Sequence, residues 1–260
     1  MHWSSAQLQG TGAGCPAPTS VPSAGVAMTA HALHIGGFIP VTTVDFPGEL
    51  AAVVFCQGCP WRCRYCHNSH LLARTEETQI PWSSIEALLE RRRGLLDAAV
   101  FSGGEPTMQS GLHAAMERVK FLGFKVGLHT AGCYPRRLRP LLPLLDWVGL
   151  DIKALPEDYP AVTGVAASGD RAWESLTMLL DFETNLEVRT TLMPDWTLAG
   201  HIEPLMRRLA AVGVTNHVVQ TCSTRLALDP VLASATNPSR VSAEALLIRG
   251  NDLFPQFTVR

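Results

Sequence analysis

Residues 51–66 read Ala-Ala-Val-Val-Phe-Cys-Gln-Gly-Cys-Pro-Trp-Arg-Cys-Arg-Tyr-Cys. The first five residues are apolar and are typical of a buried strand, and a loop rich in cysteine follows at once. Cys59, Cys63 and Cys66 form a C-x₃-C-x₂-C spacing, with Tyr65 directly before the last cysteine. Three thiolates on one loop can bind three irons of a cubane cluster and leave the fourth iron open to a substrate.

A closed zinc site is the alternative for this loop. Cys56 together with the other three cysteines could hold zinc in a structural site, and the chain would then be a non-catalytic binding module. Zinc sites usually join two C-x₂-C pairs through a longer spacer, whereas these four thiolates are crowded into one short loop. Cys56 also ends the predicted strand, where a buried structural cysteine is common. We therefore place Cys56 outside the ligand set.

The composition narrows the class of protein. The chain has 260 residues, of which 47% are hydrophobic and 17% charged, and this excludes a largely disordered protein. The net charge of −2 argues against a strongly basic nucleic-acid binder, and no apolar run approaches the ~20 residues of a membrane span. Seven cysteines, four of them clustered, favour a metal site in a reducing compartment. We predict a cytoplasmic protein without a nucleic-acid or membrane partner.

The chain divides into a tail and one domain. Residues 1–30 are rich in Gly, Ala, Ser, Thr and Pro without any period, and we predict a disordered N-terminal extension. Met28 is a candidate start of translation. Residues 31–260 are predicted to form a single domain.

Short apolar runs alternate with amphipathic stretches through this domain. Six strands are predicted, at Ala51–Phe55, Ala98–Phe101, Lys125–His129, Trp147–Ile152, Leu186–Met193 and His217–Gln220. Helices are predicted near 83–96, 110–122, 135–145, 170–183 and 199–212, the first opening with a Ser83–Glu86 capping box. This alternation predicts a parallel sheet covered by helices, either an open (β/α) barrel or a doubly wound sheet.

Polar motifs follow successive strands. Gly103-Gly104-Glu105 comes after the second strand, where glycines let a ligand approach the backbone and a carboxylate can accept hydrogen bonds from an ammonium group; a simple turn is the alternative. Asp151 and Lys153 share one face of the fourth strand, where they either pair with each other or hold a nucleotide-like ligand. Active sites of parallel β/α folds form at this carboxyl edge.

The cysteine spacing resembles the signature of the radical S-adenosylmethionine (SAM) superfamily, and Gly103-Gly104-Glu105-Pro106 resembles its Gly-Gly-Glu-Pro motif. The resemblance implies a partial (β/α)6 barrel with parallel strands. It implies a [4Fe–4S] cluster on Cys59, Cys63 and Cys66, with SAM on the fourth iron. The residues expected at the SAM site are Tyr65, Gly103, Gly104, Glu105, Thr130, Asp151, Lys153 and Arg189. Thr130 matches a Thr-Asn-Gly turn in which Ala131 replaces Asn, and Arg189 is either an inward polar group near SAM or part of an ion pair inside the barrel.

Within the superfamily, residues 34–260 look similar to the activating proteins of anaerobic ribonucleoside-triphosphate reductase, a branch of the glycyl radical enzyme activases. The matching stretches include Asp45–Gly48, Tyr65–Asn68, Asp151–Ala154 and Val162–Gly164. This resemblance implies that a flavodoxin or ferredoxin reduces the cluster, that SAM is cleaved reductively, and that a glycyl radical forms on the partner enzyme. A radical SAM enzyme with a small-molecule substrate is the alternative. Cys133 and Cys222 are isolated, and we expect them to be small core residues.

Overall fold

The computed structural model describes residues 30–75, 79–193, 200–234 and 243–260. The predicted N-terminal extension therefore lies outside the described residues, apart from residue 30, and stays a prediction, as does the start at Met28. None of the helices in the described ranges is both long enough and apolar enough to span a membrane.

One sheet of eight strands organises the molecule, and its strands follow one another in chain order. They are β1 (Ile35–Thr42), β2 (Ala51–Cys56), β3 (Ala98–Gly103), β4 (Lys125–Thr130), β5 (Trp147–Asp151), β6 (Leu186–Leu192), β7 (Asn216–Thr221) and β8 (Gln256–Val259). β1 pairs antiparallel with β2, and every later neighbouring pair is parallel. The predicted partial barrel with parallel strands is confirmed, and β2–β7 are its six predicted strands. β1 and β8 extend the sheet at its two edges.

Helices cover the outer side of the sheet. They are α1 (Trp82–Arg91), α2 (Leu112–Phe121), α3 (Pro135–Leu138), α4 (Tyr159–Thr163), α5 (Ser168–Asp181), α6 (Ile202–Ala211), α7 (Pro230–Ala233) and α8 (Ala243–Leu253). The described residues also form 3₁₀ segments at Ser69–Leu71, Pro106–Met108, Arg139–Leu144, Pro156–Asp158 and Thr224–Leu226.

Two helix predictions were wrong in detail. The capping box does not form, because α1 begins one residue before Ser83 and Pro81 is its N-cap, while Glu86 instead pairs with Arg118 on α2. The helix predicted over 135–145 divides into α3 and a 3₁₀ segment. Pro140 and Pro143 lie in that segment and cannot donate the amide hydrogen bonds that a continuous α-helix needs.

The turn at Asp45–Gly48 closes the amino end of the barrel. Phe46 from this turn stacks on Trp147, with 5.3 Å between ring centroids, inside a small apolar cluster that includes Val53 and Val100. The outward-facing strand residues, such as Val54 and Cys56, belong instead to the larger core beneath the helices. Apolar filling at the amino end leaves the carboxyl end of the barrel free for polar groups.

Candidate active site

The carboxyl ends of the parallel strands surround a cavity of about 320 Å³. Its wall contains every predicted site residue except Glu105, namely Cys59, Cys63, Tyr65, Cys66, Gly103, Gly104, Thr130, Asp151, Lys153 and Arg189. Residues from five separate segments of the chain therefore meet at one place, as their common position after successive strands predicts.

The cysteine loop is held on two sides. The backbone amides of Arg62 and Arg64 donate to the carbonyl oxygens of Thr163 and Val162, at 2.9 and 3.0 Å, and this fixes the loop to α4. The Arg64 guanidinium donates to the Asp229 carboxylate at 2.8 Å, and the Asp229 amide donates back to the Arg64 carbonyl at 2.8 Å. The loop is thus fastened across the barrel before any cofactor binds.

Cys56 differs from the other three cysteines in its surroundings. It is completely buried on the helix-facing side of β2, and burial, reinforced by the nearby Glu105 carboxylate, raises the pKa of its thiol to about 12. Cys59, Cys63 and Cys66 are partly accessible and line the cavity. Burial also raises the pKa of Cys59 to about 12, so its thiolate form needs a positively charged metal centre beside it.

The cavity offers three thiols as metal donors. Among the residues that the structure describes, no group of three or more His, Cys, Asp or Glu side chains is arranged to hold one metal ion. Iron–sulfur clusters are held by cysteine thiolates. Three cysteines around one open cavity therefore match the donor set of an iron–sulfur cluster.

The two glycines at the end of β3, Gly103 and Gly104, are in close contact with the cysteine loop. A Cβ atom at Gly103 would lie 2.5 Å from the backbone nitrogen and oxygen of Cys56, and one at Gly104 would lie 2.4 Å from the carbonyl oxygen of Gly58. Gly103 also has a φ of +109°, which side chains rarely adopt. The glycines thus let the β3 loop pack directly against the cysteine loop, and both still line the cavity.

Glu105 faces the protein rather than the cavity. Its carboxylate accepts hydrogen bonds from the Thr107 amide and hydroxyl at 3.1 and 2.6 Å, from the Thr130 hydroxyl at 2.7 Å and from the Ala131 amide at 2.9 Å. The side chain is completely buried. Glu105 therefore joins the loop after β3 to the end of β4, and the contact of its carboxylate with an ammonium group stays a prediction.

Asp151, Lys153 and Arg189 form one charged network on the cavity wall. Asp151 accepts from the Lys153 ammonium at 3.2 Å and from Arg189 Nε at 3.0 Å. Burial acts to raise the pKa of Asp151, but these two cations outweigh it and lower the pKa to about 2. Burial likewise opposes the charge of Lys153, yet the Tyr65 ring and Asp151 hold its pKa well above the usual value. The pairing of Asp151 with Lys153 is therefore observed, and both side chains line the cavity, while their contact with a ligand stays a prediction.

Sequence reasoning missed the floor of the cavity. His129 lies between Ser102 and the Asp45 carbonyl, with ring nitrogens 3.2 Å from the Ser102 hydroxyl and 2.8 Å from the carbonyl oxygen. Because a carbonyl only accepts, His129 Nε2 carries the proton and Nδ1 accepts from Ser102. Burial, helped by Arg189, lowers the pKa of His129 to about 3. Alternation along β3 and β4 would have placed both side chains inward.

Trp61 packs against Tyr159 and forms part of the cavity wall. It is completely buried, its ring meets Tyr159 edge-on at 5.8 Å between centroids, and it also lines the cavity. Its indole N–H has no hydrogen-bond partner in the described protein. Cys133 and Cys222 are buried, as expected of small core residues.

Comparisons with known proteins agree with this geometry. Residues 53–226 match the family model of the radical SAM superfamily. The chain is 28% identical over 180 residues to a glycyl-radical enzyme activating enzyme of Methanocaldococcus jannaschii, covering 62% of this chain and 68% of that protein. It is 32% identical over 136 residues to the pyruvate formate-lyase-activating enzyme of Streptococcus mutans, covering 47% of this chain and 51% of that one. The fold resembles that of Streptococcus suis SuiB bound to S-adenosylmethionine, with a TM-score of 0.57, 14% identity and coverage of 78% of this chain and 48% of SuiB.

The residues present fit the cofactors of that family. Three cavity-lining thiols are available as cluster ligands, and the charged side chains of Asp151 and Lys153 lie on the same wall, where they could pair with polar groups of SAM. The model match covers more than half of the chain. The chain therefore belongs to the radical SAM superfamily, as an enzyme whose cofactors are a [4Fe–4S] cluster and SAM.

Proposed function

We propose that this enzyme is a glycyl radical enzyme activase and that its partner is an anaerobic ribonucleoside-triphosphate reductase. The observation that carries the activase proposal is the open three-cysteine cavity in a chain similar to glycyl-radical enzyme activating enzymes. The choice of reductase rests on the motifs shared with its activating proteins, such as Asp45–Gly48 and Val162–Gly164. Both stretches also have a structural role. Phe46 of the first stretch packs in the apolar cluster at the amino end of the barrel, and the second stretch accepts hydrogen bonds from the cysteine loop.

When bound, the reduced cluster and SAM supply the one-electron chemistry that removes a hydrogen atom from a glycine Cα. Cys59, Cys63 and Cys66 would hold the cluster. Lys153 would present a positive charge to the carboxylate of SAM, and Asp151 would present a negative charge to its amino or hydroxyl groups. The ring of Trp61 would exclude water from the cysteine side of the cavity.

An exposed apolar surface beside the cavity favours a protein substrate over a small molecule. The segment after β7 carries Leu226 and Val231, whose exposed fractions are 66% and 72%. Asp229 lies between them and is bonded to Arg64 of the cysteine loop. Exposed apolar side chains next to an active site are typical of a protein-binding rim.

The reducing equivalents would come from a flavodoxin or ferredoxin, and the enzyme would work in the cytoplasm. The [4Fe–4S] chemistry needs a low-potential one-electron donor, and cluster potentials reach about −700 mV at the low end. All six cysteines in the described residues are free thiols, which suits a reducing compartment.

Electron paramagnetic resonance tests this function. The anaerobic enzyme with its cluster is incubated with SAM, photoreduced deazaflavin and a purified anaerobic ribonucleotide reductase. We expect a glycyl doublet on the reductase that is absent when SAM, the activase or the reducing light is omitted.

The rival functions give other results. A doublet on a different glycyl radical enzyme, and none on the reductase, would keep the activase function and refute the partner. SAM cleavage that depends on a small molecule, with no protein radical on any candidate partner, would identify a small-molecule enzyme instead.

A further inference from the structure

Three arginines surround the outer side of the cysteine loop. Arg62 donates to the carbonyl oxygen of Cys59 at 2.8 Å. Arg74 packs over Gly58, such that a Cβ atom at Gly58 would lie 3.1 Å from Arg74 Nε and 3.4 Å from the Met108 sulfur. Arg137 donates to the carbonyl oxygen of Met108 at 2.8 Å. We call Arg62, Arg74 and Arg137 the loop patch.

No described Asp or Glu pairs with the loop patch. All three side chains belong to exposed residues, and in the described part of the chain none of them forms an ion pair with Asp or Glu. The hydrogen bonds of Arg62 and Arg137 go to backbone carbonyls, which leave the guanidinium charge in place. The chain as a whole has a net charge of −2, so this concentration of positive charge is local.

The loop patch lies directly beside the first of the three proposed cluster ligands, Cys59. Arg62 touches Cys59 itself, and Arg74 covers the residue before it. The exposed apolar segment with Leu226 and Val231 is joined to Arg64 and so lies by a different part of the loop. A protein docked on the patch would approach the cluster from outside the loop, at the Gly58–Cys59 corner.

From this placement, and resting on the proposed function, we propose that the loop patch is the docking surface for an acidic one-electron carrier protein. The carrier loses one electron, the oxidised cluster gains it, and no proton or atom is transferred. Opposite charge on the two surfaces accelerates encounter by about 10–10³-fold at low ionic strength, which suits a brief redox contact.

Stopped-flow reduction of the cluster tests the docking surface. The anaerobic holoenzyme without SAM is mixed with a reduced acidic flavodoxin, and the loss of visible cluster absorbance is followed at several salt concentrations. We expect the wild-type rate constant to fall steeply as salt rises. The triple variant Arg62→Ala/Arg74→Ala/Arg137→Ala should be about 10-fold slower or more at low salt and nearly insensitive to salt.

A matched variant controls for net charge. Arg91→Ala/Arg92→Ala/Arg93→Ala removes three exposed arginines at the end of α1, beside the amino edge of the sheet, and should reduce at the wild-type rate. Photoreduction by deazaflavin, which needs no docking, should be equal in all three proteins, with equal iron content. Calorimetric titration of the enzyme with oxidised flavodoxin should show weaker binding only for the loop-patch variant.

Several outcomes would overturn the proposal. They are a wild-type rate that does not depend on salt, a loop-patch variant as fast as wild type, or equal slowing by the control variant. Binding of a DNA 20-mer that is lost in the loop-patch variant, with unchanged flavodoxin kinetics, would assign the patch to nucleic acid. The absence of a glycyl doublet from every candidate partner enzyme under deazaflavin reduction would instead refute the activase function, so the two failures are distinguishable.

Discussion

At the scale of single residues, the surroundings of each sulfur distinguish the three cysteines proposed as cluster ligands from the buried cysteines. Cys56 ends β2 on its helix-facing side, whereas Cys59, Cys63 and Cys66 point their loop toward the open cavity. Burial keeps the Cys56 thiol protonated at neutral pH. The sequence predicts this division because a cysteine at the end of an apolar strand is usually a packing residue.

Replacing cysteines one at a time tests the ligand set. Cys59→Ala, Cys63→Ala and Cys66→Ala should each lose most of the bound iron and sulfide and abolish SAM cleavage, because three thiolates are the minimum that the cluster needs. Cys56→Ala should keep the cluster and lose about 1 kcal/mol of unfolding free energy through a small cavity. Anaerobic iron and sulfide analysis gives the answer. A Cys56→Ala protein as poor in iron as the other three would show that the assignment is wrong.

Lys153→Ala tests the charged wall. Losing the ammonium removes a charge-assisted contact worth about 1.5–3 kcal/mol, so SAM should bind about 10–150-fold more weakly while the iron content stays intact. Equilibrium binding of SAM measures the affinity. Lys120→Ala is the control, since Lys120 pairs with Asp146 and neither residue lines the cavity. Loss of iron from the Lys153→Ala protein would assign this lysine a structural role instead.

At the scale of elements, the loops that follow neighbouring strands are packed backbone to backbone. Gly104 lies against Gly58, and Glu105 connects the β3 loop to the β4 loop through Thr130 and Ala131. The cysteine loop therefore depends on residues that do not touch a cofactor. This dependence explains why a small residue type is needed at Gly104 although its φ is ordinary.

A single methyl group at this junction should disturb the cluster. Gly104→Ala places a Cβ atom 2.4 Å from a carbonyl oxygen, and we expect a loss of about 1–3 kcal/mol in unfolding free energy together with poor iron incorporation. Gly37→Ala is the matched control, because its Cβ atom would meet Phe55 at an ordinary 3.5 Å. Thermal unfolding and iron analysis of both proteins measure the difference. Equal behaviour of the two variants would contradict the packing role of Gly104.

The elements that the sequence predicts are those with a strong internal period. The buried parallel strands β2–β7 are found within about two residues because their apolar runs are continuous. β1 escapes prediction because its exposed and buried residues do not alternate cleanly, and Pro40 and Val41 are both exposed. β8 alternates but has only four residues, and α8 has only two buried residues, Leu246 and Gly250. The sequence motif does not predict the direction of the Glu105 side chain or the close contact of the two glycines with the cysteine loop, and their contact with SAM stays a prediction.

At the scale of the whole molecule, two buried neutral histidines make stability depend on pH. Burial lowers the pKa of His217 to about 3, and burial is also the main cause that lowers the pKa of His129 to about 3. His217 Nε2 donates to the Thr190 hydroxyl, which itself donates to the Ile152 carbonyl. His217 Nδ1 has no hydrogen-bond partner in the described protein, so protonation there would bury an unpaired charge.

Acid should therefore begin to destabilise the fold at pH values well above those at which its carboxylates become protonated. The unfolded chain binds these protons below about pH 6.5 and the folded chain does not, so stability falls as pH drops from about 6.5 toward 3. Each histidine contributes a loss of about 2 kcal/mol at pH 5. Denaturant unfolding of wild type and His217→Gln across this pH range measures the sign and the size of the change in unfolding free energy. The variant should lose about half of the pH dependence, and an unchanged slope would contradict the assignment of His217.

The account as a whole depends on a cluster whose open iron meets SAM inside this barrel. Electron paramagnetic resonance of the anaerobically reduced enzyme, recorded with and without SAM and accompanied by metal analysis, tests it most directly. We predict iron as the main metal and a cluster signal that changes when SAM is added. Zinc held by all four neighbouring sulfurs, or a cluster signal indifferent to SAM, would contradict the account.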